Sequence, residues 1–202
     1  MTDEGGLSPP LFVTSSFLPA QERDEMLRWA IDQQAAFSPA KTNHGLQPTA
    51  RNALCLRDLG PWAERLRAHA LAQLPEWMAQ LRVTPFVPSH IELELVAQND
   101  GAHFAIHSDT YSTSQSAMGD RMISAIYYFH DAPARFTGGL LRLHKVGMPA
   151  GVGAIDISPD HDRLVVFPSW WPHEVSRISC ESGAFEDSRF SLNCWVHRAR
   201  NR

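Results

Sequence analysis

The chain has 202 residues, of which 44% are hydrophobic and 20% charged. These values are typical of a globular domain with its own core and exclude a disordered chain. The formal net charge is −4, which argues against a general nucleic-acid-binding protein. The N-terminus is acidic and no apolar run approaches the ~18 residues of a membrane span. The sequence therefore predicts a cytoplasmic protein without a nucleic-acid or membrane partner.

The composition is unusual in histidine and lysine. There are ten histidines, whereas Lys41 and Lys145 are the two lysines of the sequence. The cysteines, Cys55, Cys180 and Cys194, are odd in number and lack CxxC spacing, which fits neither a disulfide framework nor a zinc knuckle. We therefore expect core thiols, and histidine is the residue type to follow for chemistry.

The first third of the chain shows helical periodicity. Residues 19–36 begin with a proline, a residue favoured in the first helical turn, and carry apolar residues at helical spacing. Residues 61–74 repeat this pattern, and we expect Pro75 to break it before a last turn or two that ends at Leu81. The sequence thus predicts two amphipathic helices that support another structure.

From residue 90 onward the hydrophobic period changes to two. Ile91, Leu93 and Leu95 alternate with their neighbours, which predicts a strand with one buried face. Further strands are predicted at residues 122–129, 140–144, 164–167, 173–178 and 190–197, separated by glycine and proline. Short strands without intervening helices favour a mainly β fold, a sandwich or jelly roll with N-terminal helices.

Three residues form a candidate metal site. His107 and Asp109 are two residues apart, so on an extended segment their side chains project to the same face. His173 begins a later predicted strand, and a small sandwich brings distant strands together. Two histidines and one carboxylate form the facial triad of non-haem Fe(II) oxygenases. His103 is a candidate for supporting this site.

A triad of this kind leaves positions open for a chelating cosubstrate. If that cosubstrate is 2-oxoglutarate, its distal carboxylate needs a fixed cation, and no lysine follows residue 145. Arg189 leads the final predicted strand, and Arg177 is the alternative because it lies four residues after His173. We favour Arg189.

Five segments carry a family resemblance. In chain order they are His107-Ser108-Asp109, residues 126–129 (IYYF), 138–143 (GGLLRL), 162–167 (DRLVVF) and 172–175 (PHEV). Together, over about residues 90–197, the chain resembles the Fe(II)- and 2-oxoglutarate-dependent oxygenases of the prolyl-hydroxylase-like type, which includes the hypoxia-sensor and prolyl 4-hydroxylases.

The resemblance implies a double-stranded β-helix, a cupin-like jelly roll. It would form one domain over residues 1–202, with residues 1–89 as helical support and edge strands and 90–197 as the core. It implies Fe(II), 2-oxoglutarate and O2, with L-ascorbate as a further reductant. The implied iron ligands are His107, Asp109 and His173. The residues expected to contact 2-oxoglutarate are Arg189, Tyr128, Gln98 and Ser191.

The implied activity is hydroxylation of an unactivated C–H bond with release of succinate and CO2. A prolyl residue of a protein or peptide is the expected substrate, and a free amino acid or small metabolite is the alternative. Residues 41–50 and 111–121 are expected to flank the mouth of the site. A jelly-roll zinc site or a non-catalytic binding module is the alternative of another class, since imidazole also suits zinc.

Two departures from the family pattern concern the cosubstrate. Residues 181–187 look like an insertion between His173 and Arg189. Gln98 stands where hypoxia-sensor-like members have a tyrosine.

Trp170 and Trp171 come just before His173 in the sequence. They are interpreted equally well as an aromatic wall for substrate or as plain packing.

Overall fold

A computed structural model describes residues 6–41, 45, 47–110 and 119–200 of the protein. It contains both predicted helices. Helix α1 spans Ala20–Asp32 and helix α2 spans Trp62–Gln80. Each buries one apolar face, which includes Met26 of α1 and Leu66 of α2. In the part of the chain that the structure describes, neither helix is long and apolar enough to span a membrane.

Fourteen strands make up the rest of the described fold. In chain order, β1 to β14 are Phe12–Ser15, Ser38–Pro39, Arg51–Asn52, Leu54–Leu56, Pro88–Gln98, His103–His107, Asp120–Tyr128, Thr137–Gly138, Leu141–Leu143, Ile155–Ile157, Arg163–Pro168, His173–Val175, Ile178–Ser179 and Arg189–Arg198. A seven-stranded sheet has the order β1-β11-β7-β14-β5-β4-β2, and a five-stranded sheet has the order β10-β9-β12-β6-β3. A two-stranded sheet pairs β13 with β8. Among the described strands of these sheets, neighbours pair in antiparallel orientation.

The seven-stranded sheet buries one face against the helices. Side chains alternate across a strand, so Leu95 of β5 and its register partner Leu192 of β14 share that face. They belong to one apolar cluster with Leu66 and Trp77 of α2, all of which are fully or almost fully buried. This cluster is the main core of the protein.

The opposite face of the large sheet is turned toward the five-stranded sheet. A second apolar cluster joins the two sheets, with Tyr128 and Phe167 from the large sheet and Leu141 and Leu143 from the small one. Beyond this cluster the sheets enclose a cavity of about 820 Å³. The predicted mainly β, jelly-roll fold with N-terminal helices is confirmed.

The structure corrects two expected boundaries. Helix α2 runs through Pro75 without ending; proline removes one backbone donor there, and the buried side chains on either side hold the helix together. The strand expected over residues 173–178 stops at Val175, and Ile178 pairs instead with Gly138 in the small sheet β13-β8. The three cysteines are free and buried, as expected.

Candidate functional site

The two sheets bring the three candidate metal ligands together. His107 ends β6 and His173 begins β12, and the two residues are direct register partners on adjacent antiparallel strands. Asp109 follows β6, where its backbone N–H donates to the Ser169 carbonyl at 2.8 Å. One side-chain ligand atom from each of His107, Asp109 and His173 lies within 4.8 Å of the others.

Backbone carbonyls set the orientation of both imidazoles. Nδ1 of His107 donates to the carbonyl of Ala105 and Nδ1 of His173 to that of Trp171, each at 2.8 Å. A carbonyl oxygen only accepts, so Nδ1 of each ring carries a proton and Nε2 is the nitrogen that can bind a metal. The two Nε2 atoms face the Asp109 carboxylate: that of His107 lies 3.7 Å from Oδ1 and that of His173 lies 3.7 Å from Oδ2.

The carboxylate of Asp109 is held in its ionised form. Burial alone would raise the pKa of Asp109, but the neighbouring His173 and His107 and the Ser124 hydroxyl favour the anion more strongly and hold its pKa well below the usual range. The Ser124 hydroxyl donates to Oδ2 of Asp109 at 2.6 Å. Burial lowers the pKa of His173 to about 4, and the Asp109 carboxylate only partly offsets this effect. Near pH 7 the site therefore offers a carboxylate and a neutral imidazole.

These donors fit a divalent transition metal ion. Two imidazole nitrogens and one carboxylate on one side of a cavity leave the remaining coordination positions open to small molecules. The second nitrogen of each imidazole is already bonded to a carbonyl and the carboxylate is bonded to a hydroxyl, which is the support that metal-ligating side chains usually have.

A second polar group lies in the same cavity at the start of β14. Arg189 is 2% exposed and lines the cavity. Its Nη2 donates to the Tyr128 hydroxyl at 3.1 Å, and its Nη1 donates to Oε1 of Gln98. Its Nε, also buried, has no hydrogen-bond partner among the described residues. Burial lowers the pKa of Arg189.

Arg189 thus has no carboxylate partner within the described structure, since its two ordered contacts are a phenol and an amide. A buried guanidinium without a counter-ion is costly, and a bound carboxylate would satisfy it. Gly139 makes room for its stem, because a Cβ there would lie 2.7 Å from Cδ of Arg189. The fit to the distal carboxylate of 2-oxoglutarate is therefore good.

The other expected residues have different places. Ser191 lines the cavity two positions along β14 from Arg189. Arg177 lies outside it, in a shallow depression with Asp100 and Gly138, because β12 ends before it and the strand alternation no longer applies. His103 does not line the cavity either; its ring nitrogens contact the backbone carbonyls of Gly101 and Thr49.

The tryptophans and the two loops are placed as follows. Trp171 is buried between the sheets and Trp170 is 45% exposed, and neither lines the cavity. Residues 41, 47 and 50 of the first loop line it. Most of the loop over 111–121 lies outside the described residues. The expected insertion over 181–187 forms a turn and the short 3-10 helix Phe185–Asp187, and Phe185 packs on Phe190. Strand β14 begins at Arg189 after this stretch.

A group of charged residues that line the cavity was not predicted from the sequence. On β5, Glu94 accepts from Arg51 and Arg57, and Glu92 accepts from Arg121. Both glutamates alternate with apolar residues, so they resembled the solvent face of a strand. A signal was nevertheless present, because the opposite face of an inner strand of a jelly roll points to its interior.

Comparison with known proteins agrees with this arrangement. Residues 93–197 match the family model described as the 2OG-Fe(II) oxygenase superfamily, which covers more than half of the chain. The chain belongs to the 2OG-Fe(II) oxygenase superfamily. Membership of this superfamily implies Fe(II), 2-oxoglutarate and O2 as the metal and cosubstrates.

Individual relatives of this superfamily are similar over most of the chain. An uncharacterized PKHD-type hydroxylase of Synechocystis sp. is 30% identical over 192 residues, which are 92% of this chain and 62% of the relative. The chain thus spans about three fifths of the length of that relative.

Two solved structures share the fold. A prolyl 4-hydroxylase of Pseudomonas putida has a TM-score of 0.68 and 24% identity, with 95% of this chain and 94% of that one covered. A prolyl hydroxylase of Trichoplax adhaerens, in complex with a hypoxia inducible factor peptide fragment, has a TM-score of 0.67 and 17% identity, with 94% and 84% covered.

Proposed function

We propose that the protein is an Fe(II)- and 2-oxoglutarate-dependent dioxygenase that hydroxylates an unactivated C–H bond, with a prolyl residue of a protein or peptide as substrate. The observation that carries the proposal is the buried Arg189 without a carboxylate partner, in the same cavity as His107, Asp109 and His173. A zinc hydrolase or a binding module does not need such a cation. The names of the Synechocystis relative and of the two structural neighbours support the hydroxylase assignment.

In this reaction His107, Asp109 and His173 would hold the metal from one side. Asp109 supplies the negative charge, and Ser124 fixes the direction of its carboxylate. The backbone bonds to Nδ1 of both histidines orient the rings so that Nε2 faces the centre. When bound, Fe(II) would supply the O2 activation by which 2-oxoglutarate and a substrate C–H group give succinate, CO2 and an alcohol, with one oxygen atom in succinate and the other in the new hydroxyl group.

Arg189 and Tyr128 would bind the distal carboxylate of 2-oxoglutarate. Tyr128 is fully buried and its hydroxyl already accepts from Arg189, so its own proton is available to a carboxylate oxygen. Gln98 holds the other arm of the guanidinium and thereby sets its plane. Ser191, two positions after Arg189 on β14, also lines the cavity and is the further expected contact with 2-oxoglutarate.

The test is product formation in air with Fe(II), 2-oxoglutarate and ascorbate. A panel of proline-containing peptides is compared with a panel of free amino acids. With the peptides, we expect succinate to form together with a product that has gained one oxygen atom. Neither product should form when Zn(II) replaces Fe(II). Turnover of free amino acids alone would move the substrate to the small-molecule class, and no succinate with any compound would contradict the activity.

A further inference from the structure

A cluster of charged side chains around the buried Glu94 lines the cavity, apart from the metal ligands and Arg189. Glu94 of β5 is 2% exposed, and its two carboxylate oxygens accept from Nη2 of Arg51 at 2.5 Å and from Nε of Arg57 at 2.9 Å. Two guanidinium groups on one carboxylate leave one positive charge. Arg57 is 62% exposed and also lines the cavity, so its Nη atoms lie at an accessible part of the wall.

The excess of positive charge extends to Lys41. Arg51 donates through Nη1 to the backbone carbonyl of Lys41 at 3.4 Å, which holds that residue at the cavity. The remaining charges of the wall are engaged: Glu92 pairs with Arg121 at 2.7 Å, and Asp109 faces the two histidines.

The described wall therefore carries more cations than carboxylates, although the whole chain has a net charge of −4. Arg189 accounts for the positive charge that 2-oxoglutarate would neutralise. The charge of the group formed by Glu94, Arg51, Arg57 and Lys41 is left for another ligand.

One aromatic ring separates this group from the metal ligands. The guanidinium carbon of Arg51 lies 5.0 Å from the centre of the Phe104 ring, and the Phe104 ring stacks on the His107 imidazole with 3.5 Å between centroids. Arg51 and His107 thus both contact the Phe104 ring, and the charged group lines the same cavity as the metal ligands.

We propose that Arg57, positioned by Glu94 and assisted by Lys41, binds a carboxylate of the substrate in the cavity that the metal ligands also line. This inference rests on the proposed function and names its substrate class. The planar guanidinium suits a carboxylate because it offers two parallel N–H donors. The carboxylate belongs either to an acidic residue beside the target residue of a peptide or to the target amino acid itself, and the chemistry of recognition is the same.

Binding is measured by calorimetry under argon, on protein loaded with Mn(II) and 2-oxoglutarate so that no turnover occurs. The first pair of probes is the capped peptide acetyl-Glu-Pro-Glu-amide and its analogue acetyl-Gln-Pro-Gln-amide. The second pair is acetylproline and acetylprolinamide. We expect the acid of at least one pair to bind about fivefold more tightly than its neutral analogue. The pair that shows the preference identifies the source of the carboxylate.

Three variants assign the preference to the cluster. Arg57→Gln should remove it and Lys41→Gln should reduce it, while the affinity for 2-oxoglutarate stays unchanged in both. Arg28→Gln, on the exposed side of α1, is the matched control and should retain the preference. Because Arg57 is largely exposed, its replacement leaves the core intact.

Equal affinities within both pairs would overturn the inference, as would the absence of binding by both acids or a preference that survives in Arg57→Gln. The proposed function fails in a different way, because the Mn(II)-loaded wild type would then not bind 2-oxoglutarate before any probe is added.

Discussion

The two faces of the seven-stranded sheet are built from the same strands and have opposite contents. On the helix side, β5 and β14 present Leu95 and Leu192, which pack into the main core. On the cavity side, the same strands present buried polar side chains, among them Glu94 and Arg189. Burial is similar on the two faces, so burial alone does not separate structural from functional residues. The distinguishing feature is a buried charge whose partners are incomplete.

The largest expected effect is on the cavity side. Replacement of Asp109 by alanine removes the negative ligand, and we expect succinate formation to be abolished while the fold is retained. Asp160→Ala is the control, since Asp160 is exposed and pairs with Arg163 at the surface. Succinate release is measured with and without substrate, and activity persisting in Asp109→Ala would refute the assigned triad.

On the helix side, Leu95→Ala should change stability and leave ligand binding alone. Leu95 is completely buried, so we expect a loss of about 2–5 kcal/mol in the free energy of unfolding. Leu71→Ala, at a 48% exposed position of α2, should cost less than about 0.5 kcal/mol. Urea unfolding measures both. A large fall in 2-oxoglutarate affinity in folded Leu95→Ala would mean that the two faces are coupled.

Arg189→Met should show the reverse pattern. We expect the affinity for 2-oxoglutarate to fall at least about tenfold, because a charge-assisted contact is lost. The melting temperature without ligand should not fall, since the replacement removes a buried charge that lacks a carboxylate partner. Arg177→Met is the matched control and should retain the affinity. If the two variants exchanged these results, the clamp would be Arg177.

The last expected effect depends on pH and concerns Glu92, where burial is outweighed by His197 and Arg121, so that the pKa of Glu92 falls from 4.5 to about 2. Its folded-state pKa lies below the ordinary value, so its stabilisation is present above about pH 4.5 and is lost as the pH falls toward 2. Glu92→Gln should therefore be less stable than the wild type near pH 7, by about 2 kcal/mol, and the difference should shrink below pH 4.5.

Urea unfolding at several pH values checks this expectation. Glu64→Gln, at an 87% exposed side chain, is the control and should show no such dependence. A difference between Glu92→Gln and the wild type that is constant with pH would assign the effect of the glutamate to packing.

The apolar face of the large sheet was predictable because alternation with period two is a local signal. Ile91, Leu93 and Leu95 reveal their face within five residues. Edge strands were expected within residues 1–89, but the positions of β1, β3 and β4 were not predicted, since two to four residues carry too little periodicity and are held by their pairing partners. Pro75 misled the prediction because tertiary packing outweighs one lost backbone bond.

The site was predictable where side-chain spacing is constrained by chemistry. The i, i+2 spacing of His107 and Asp109 is such a constraint. His173 was proposed because it begins a later predicted strand, and Arg189 because no lysine follows residue 145; the family resemblance supported both. The partners of Glu94 were not predictable, because Arg51 and Arg57 lie 43 and 37 residues away in the chain and meet it only in the folded cavity. The support of Asp109 by Ser124, fifteen residues away, was missed for the same reason.

The central claim is that the cavity face binds Fe(II) and 2-oxoglutarate together at the triad and Arg189. Its most direct test is an anaerobic titration of the metal-free protein with Fe(II) and 2-oxoglutarate, followed by visible absorption. For the wild type we expect a charge-transfer band that saturates at one equivalent of each. The band should be absent in His173→Ala and should require much more 2-oxoglutarate in Arg189→Met. A wild-type protein that develops no band, or a band unaffected by His173→Ala, would contradict the central claim.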